Sequence, residues 1–122
     1  MKCIYLNVEE QALPKVIDIE DDLKVFYNLI GCQYVDITRR KIGDKYYDVI
    51  CDDEGLYKEN TIISAVDNTY KPMFVGNLII SKADDEGGLI DLSETDIKQI
   101  LRHAITYFTL NRNTYIAFKM SY

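Results

Sequence analysis

Tryptophan is absent from this chain, histidine occurs once, proline twice and cysteine three times. No stretch approaches the ~18 apolar residues that span a membrane as a helix. Each scarcity narrows the function. With His103 as the sole histidine, any Ser/His/Asp or Cys/His mechanism has to run through that one ring. Cys3, Cys32 and Cys51 contain no Cys-x-x-Cys pair, and their odd number leaves a free thiol, so they read as reduced and intracellular. Cys32, after a helix-ending glycine, and Cys51, at a strand end, suit small buried hydrophobes. His103 and the cysteines also lack the chelating spacing of a zinc set. Phosphate-cradling loops are missing, because Gly87-Gly88 is neither Gly-x-Gly-x-x-Gly nor a P-loop.

Basic residues are few. Fourteen Lys and Arg stand against 20 Asp and Glu, a net charge of −6 that repels a phosphate backbone and disfavours nucleic acid as a partner. The one basic run, Arg39-Arg40-Lys41, is expected at a hairpin tip, where such charges solvate a loop. A DNA mimic calls for a denser acidic surface, so the modest excess leaves mimicry a minor alternative. Scarce Arg and absent Trp, beside plentiful Ile, Lys, Asn and Tyr, are the bias that AT-rich codons produce. The opening Met1 to Leu6 is too short, and too soon interrupted by Asn7, Glu9 and Glu10, for a signal-peptide core. A cytoplasmic protein without membrane, metal or cofactor is expected.

What is present describes an ordinary folded domain. The hydrophobic fraction of 48% with 28% charged residues is typical of globular chains. At 122 residues the chain forms one domain over 1–122 that buries roughly two-thirds of its unfolded surface. The pattern predicts an α+β fold: a small mixed, mostly antiparallel sheet packed against two helices at about 21–30 and 94–109. Residues 3–8 alternate, with Ile4, Leu6 and Val8 on one side, and pair as a hairpin with an edge-type strand from Lys15 to Ile19 after Pro14. Leu23, Phe26, Tyr27 and Ile30 share one helical face, with Asp21 as cap and Gly31 as stop. Residues 33–38 and 45–51 form a second hairpin that turns between Arg40 and Asp44, with Val35 and Ile37 inward.

Residues 56–70 are ambiguous, with Ile62 to Val66 readable as a short buried strand or one helical turn. Pro72 to Ser81 reads as a central strand, interrupted at Gly76 by a bulge or close backbone approach. Ser93-Glu94-Thr95-Asp96 is a Ser-x-x-acid cap ahead of a continuous apolar helix face formed by Ile97, Ile100, Leu101, Ala104, Ile105 and Phe108. The segment 111–122 supplies an additional C-terminal strand, alternating from Thr114 to Tyr122. Such an apolar terminal strand pairs within its own sheet or with a second copy, which leaves a homodimer open.

Two near-copies of one acidic turn, Asp52-Asp53-Glu54-Gly55-Leu56 and Asp84-Asp85-Glu86-Gly87-Gly88-Leu89, punctuate the strands. Clustered carboxylates suit calcium, but neither turn has the Asp-x-Asp-x-Asp-Gly ladder with its twelfth-place Glu. Turn conformation accounts for the same residues, and a calcium-regulated module is a third, minor class of function. Ten tyrosines are many for this length, and Tyr34, Tyr46, Tyr47, Tyr57, Tyr70, Tyr107 and Tyr115 are candidate contact residues for a cleft or partner surface. Tyr is equally a good strand residue wherever one edge is wet.

The order of features resembles the domain of unknown function 3846 (DUF3846) family. It is carried by the opening strand, the Asp18 to Gly31 segment, Asp53-Glu54-Gly55-Leu56, Gly76-Asn77-x-x-Ile80, and Asp85-Glu86-Gly87 ahead of Leu92-Ser93-x-x-Asp96. The resemblance spans about residues 2–100. The usual Asn-Arg element after the first turn is reduced to Asn60, and the tail from Asn111 lies outside. Such small proteins are common in phages and mobile elements, and the resemblance transfers no catalytic residue. It implies a non-enzymatic accessory protein that binds a host protein or sequesters a small ligand, with a possible counter-defence role. The alternative is a small hydrolase or nucleotide-processing enzyme using His103 with nearby carboxylates.

Overall fold

A computed structural model describes residues 1–10, 13–55, 58, 61–109 and 113–122. Among these residues the fold has two α-helices and strands that are mostly antiparallel, arranged in two sheets where the sequence suggests one. The larger sheet contains β1 (Lys2–Leu6), β2 (Lys15–Asp18), β3 (Val35–Ile42), β4 (Lys45–Asp52), β7 (Leu78–Ala83) and β8 (Leu89–Ile90). Its order is β2-β1-β7-β4-β3, with β8 also paired to β7. The smaller sheet runs β6 (Pro72–Val75), β5 (Ile63–Val66), β10 (Thr114–Lys119), β9 (Ala104–Phe108), and its β10–β5 pair is parallel.

Both faces of the larger sheet are covered, which explains why β4 and the Leu78-Ile79-Ile80 run show no clean alternation in sequence. Cys3, Ile50 and Ile79 point to one side and form a cluster with Phe26 and Ile30 of α1 (Leu23–Ile30). Ile4, Leu6, Tyr47, Val49, Leu78 and Ile80 point to the other, where they meet Ala65 and Phe118 of the smaller sheet and Ile100 of α2 (Glu94–Arg102). Leu78, Ile79 and Ile80 are all fully buried, as central strands covered on two faces require.

The β1–β2 hairpin pairs as expected, Lys2 opposite Asp18. Asp22, one residue beyond the predicted cap, accepts from the Lys24 amide at 2.9 Å and starts α1, and Gly31 ends it with φ +77°. Arg39, Arg40 and Lys41 sit inside β3 and not at a hairpin tip, because the turn itself is Gly43-Asp44. Val35 packs partly against the α1 cluster, whereas Ile37 is 48% exposed, contrary to the inward placement that alternation suggests. Residues 63–66 resolve as the buried strand β5.

Two further expectations fail for tertiary reasons. The helix from Ser93 stops at Arg102, and Ala104 to Phe108 turn into β9. Ile105, Thr106, Tyr107 and Phe108 are β-branched or aromatic, so pairing with β10 regains the backbone bonds that a longer helix would supply. Pro72–Ser81 is likewise not one strand: Gly76, at φ +80°, passes the chain from β6 in one sheet to β7 in the other. No atom lies within 4 Å of a Cβ placed at Gly76, so its substitution is a purely backbone problem. Gly76→Ala should cost about 1–2 kcal/mol, with Gly76→Asn milder, read as a lower urea midpoint at unchanged slope.

Candidate functional site

The most tightly bonded polar group in the interior is built on the Ser93 cap. Ser93 Oγ accepts from the Asp96 amide at 3.0 Å, while the Ser93 amide donates to Asp96 Oδ2 at 3.0 Å, so the capping box closes. The same carboxylate is fully buried and receives the Tyr47 hydroxyl at 2.8 Å. Lys82 and Lys45 flank it at 3.4 and 3.6 Å. Burial opposes ionisation of Asp96, but the Ser93 amide, the Tyr47 and Ser93 hydroxyls and the Lys82 ammonium outweigh it and hold the carboxyl well below the usual carboxylate range. Burial and the adjacent Asp96 push the Tyr47 hydroxyl well above the ordinary tyrosine range. With both carboxylate oxygens occupied, this constellation fastens α2 to β4 and β7.

The tyrosines therefore divide. Tyr47, 2% exposed, belongs to the core and leaves the set of accessible contact residues. Tyr107 donates to the Ile63 carbonyl at 2.7 Å and packs 5.8 Å from Tyr115, so this pair braces the smaller sheet. Tyr57 lies outside the described residues, as do Leu56 of the first acidic turn, Asn60 and Asn111. Tyr34, Tyr46 and Tyr70 are exposed. The seven thus do not form one surface.

Two of the exposed tyrosines adjoin the acidic turns and β3. The Asp53 amide donates to the Tyr34 carbonyl at 3.0 Å, and Asp52 Oδ1 accepts from the Glu54 amide at 2.9 Å while its other oxygen pairs with Lys58. In the second turn Asp84 Oδ1 accepts from the amides of Glu86 and Gly88, both at 2.9 Å. These are conformational uses of Asp, and no group of three or more metal-type ligands gathers among the described residues. Tyr46, with the Arg39 guanidinium 5.4 Å from its ring centroid, lines a recess of about 400 Å3 with Asp84 and Asp85. Ile37, Arg39 and Tyr46 lie on the same side of the larger sheet as α1, at the β3 end that the eight-residue helix does not cover.

Arg40, on the opposite side of β3, is held between the rings of Phe74 and Tyr122 at 5.4 and 4.5 Å. Among the described residues β3 pairs with β4 alone until Lys41, which bridges to Ser121. Val35 to Arg40 therefore present a sheet edge that is free among the described residues. The sequence signals a β hairpin at these residues, but not which of its strands ends the sheet.

His103 caps α2 at its C-terminal end, and its Nδ1 lies 2.8 Å from the Gln99 carbonyl oxygen. A carbonyl only accepts, so Nδ1 carries the proton. The thiols are free, Cys3 and Cys51 buried and Cys32 partly so. Burial pushes Cys3 up to about 11 and Cys51 up to about 12, away from nucleophilic use at neutral pH. No helix among the described residues is long and apolar enough to cross a membrane.

No curated protein and no solved structure matches the chain. The family described as domain of unknown function (DUF3846) matches residues 1–105, which include both acidic turns, the Gly76 crossing and the Ser93–Asp96 cap. On that match, covering most of its length, the chain belongs to the DUF3846 family.

Proposed function

We propose that the protein is a non-enzymatic accessory protein of a phage or mobile element that acts in the bacterial cytoplasm by binding a host protein. The contact surface is the free edge of β3 with the exposed side chains beside it. The observation that carries the reading is the outer edge of Val35–Arg40, which has no strand partner among the described residues on the side away from β4, with exposed Tyr34, Ile37 and Tyr46 beside it. An open strand offers main-chain donors and acceptors to a partner strand, and tyrosine supplies contact area at small entropic cost. Exposed Asp36, Asp53, Asp84 and Asp85 around it favour a partner that carries Lys or Arg. The hydrolase alternative draws no support from the surroundings of His103, whose cavity is lined by lysines where that reading needs carboxylates.

The test is affinity capture of the tagged protein from its bacterial host, followed by binding measurements with the captured protein. Ile37→Arg places a charge on a half-exposed position and should leave the circular dichroism spectrum intact while weakening binding about 30-fold or more, the effect of losing a hot-spot contact. His103→Ala should bind as wild type. Undiminished binding by Ile37→Arg, or a substrate turnover abolished by His103→Ala in a folded protein, would overturn the reading.

A further inference from the structure

One cavity in this acidic chain has a wholly basic ionisable lining. It measures about 200 Å3 and is lined by Lys41, Gly43, Asn68, His103, Lys119 and Ser121, where the C-terminal segment crosses from β10 to the edge of β3. Four other concavities among the described residues each carry at least one Asp or Glu. Neither Lys41 nor Lys119 takes part in an ion pair among the described residues. Like charges gathered without a counter-charge repel one another, and a bound anion removes that penalty.

The lining is fixed by backbone and by ring contacts. Lys41 and Ser121 exchange N–H to carbonyl bonds of 2.7 and 2.8 Å, and the Lys119 amide donates to the His103 carbonyl at 2.8 Å. With Nδ1 engaged by Gln99, the imidazole keeps Nε2 as its remaining polar atom, without a partner among the described residues. The Lys119 ammonium rests 4.7 Å from the ring centroid of Tyr70. Tyr70 is the one non-glycine residue described with positive φ, +65°, a conformation that an aromatic residue adopts only under constraint. The turn that imposes it is tied by Asp67 Oδ1, which accepts from the amides of Thr69 and Lys71 at 2.8 and 3.0 Å, and it also delivers Asn68 to the cavity.

The geometry points to an anion-binding site that takes one phosphate group, as free phosphate or as the phosphate of a small monoester. Lys41 and Lys119 in the lining supply charge and Asn68 and Ser121 supply hydrogen-bond donors, while the Nε2 lone pair of His103 accepts from a protonated phosphate oxygen. The volume is below the roughly 300 Å3 at which sites for drug-sized ligands begin, which fits one phosphate with little else enclosed. A polyanion is disfavoured because the net charge of −6 repels its other phosphates. This inference stands apart from the β3-edge reading, and either can fail alone.

The test titrates the full chain with inorganic phosphate and, in a second arm, with glycerol 3-phosphate, following amide resonances at constant ionic strength set with chloride. Saturable shifts at Gly43, Asn68, His103 and Ser121 are expected at millimolar ligand. The arm with the tighter response identifies free phosphate or monoester as the better ligand. Lys41→Gln and Lys119→Gln should each weaken binding roughly tenfold or more, the loss of one charge-assisted contact, with Arg39→Gln unchanged as a control for bulk charge. If either lysine variant is unfolded, the shift map of the wild-type chain still decides. Shifts reproduced by chloride, shifts centred elsewhere, or tighter salt-sensitive binding of a short single-stranded oligonucleotide would overturn the proposal.

Discussion

Asp96→Asn should lower stability by about 3 kcal/mol, a drop near 10 °C in melting temperature for a chain of this size. The carboxylate is fully buried and its oxygens receive the Ser93 amide and hydroxyl and the Tyr47 hydroxyl, with Lys82 and Lys45 beside them. An asparagine amide turns one of those acceptors into a donor facing other donors. The loss therefore combines an unsatisfied interior group, an unpaired pair of ammonium groups and half of a helix cap. Asp96→Ala should cost at least as much, and Tyr47→Phe less, because it removes one partner and keeps the ring in the core. Thermal melts of the three variants rank them.

The same residue predicts the acid limb of the stability curve. Its folded pKa is depressed, so its contribution is fully present above the unfolded carboxylate value of roughly 4 and fades as pH falls toward the folded value. Wild type should lose stability over that acid range, and the difference between wild type and Asp96→Asn should shrink with it. A gap that stays constant from neutral pH down into that range would mean that Asp96 is not held ionised.

A chain ended after Ile105, the last residue of the family match, should not fold cooperatively. The removed part contains β10, which pairs on one side with β9 and on the other with β5, and whose Ala117 and Phe118, like the following Met120, are buried. Its loss exposes Ala65 and Val66, removes the Lys41–Ser121 bridge and strips one wall from the larger core cluster. A milder form of the same experiment is Phe118→Ala. It opens a cavity in a fully buried position and should cost about 3–5 kcal/mol, seen as a lower denaturant midpoint. Native-like near-ultraviolet dichroism and a cooperative melt from the shortened chain would show that residues beyond 105 are an appendage and not part of the core.

Parts of this structure were legible residue by residue. Gly31 ends a helix because its φ of +77° is costly for any other residue, and Ser93 with Asp96 forms a cap through groups three positions apart. The β1–β2 hairpin follows from the alternation of residues 3–8 and the Pro14 strand start, and the β3–β4 hairpin from two strand-forming runs joined by a glycine-containing turn. Less legible was anything decided by a distant partner. The apolar spacing from Ile97 to Phe108 satisfies a helix, yet Ala104 to Phe108 find β10 and become a strand. The basic cavity was invisible, because Lys41, Asn68, His103 and Lys119 belong to four separate segments.

The sequence by itself determined the α+β class, the family, the Ser93 cap, the Gly31 stop and the acidic turns, since these depend on residue type and on neighbours within a few positions. Only the tertiary structure decided that the described strands form two sheets, that Gly76 hands the chain from one to the other, that Tyr47 is interior while Tyr34, Tyr46 and Tyr70 are exposed, and that Lys41 and Lys119 share a cavity with His103. The physical reason is the range of the interactions. Backbone dihedral preferences and caps act within a turn of chain, whereas burial and strand partnership, such as Ala65 beside Phe118, are fixed by which distant surfaces exclude water together.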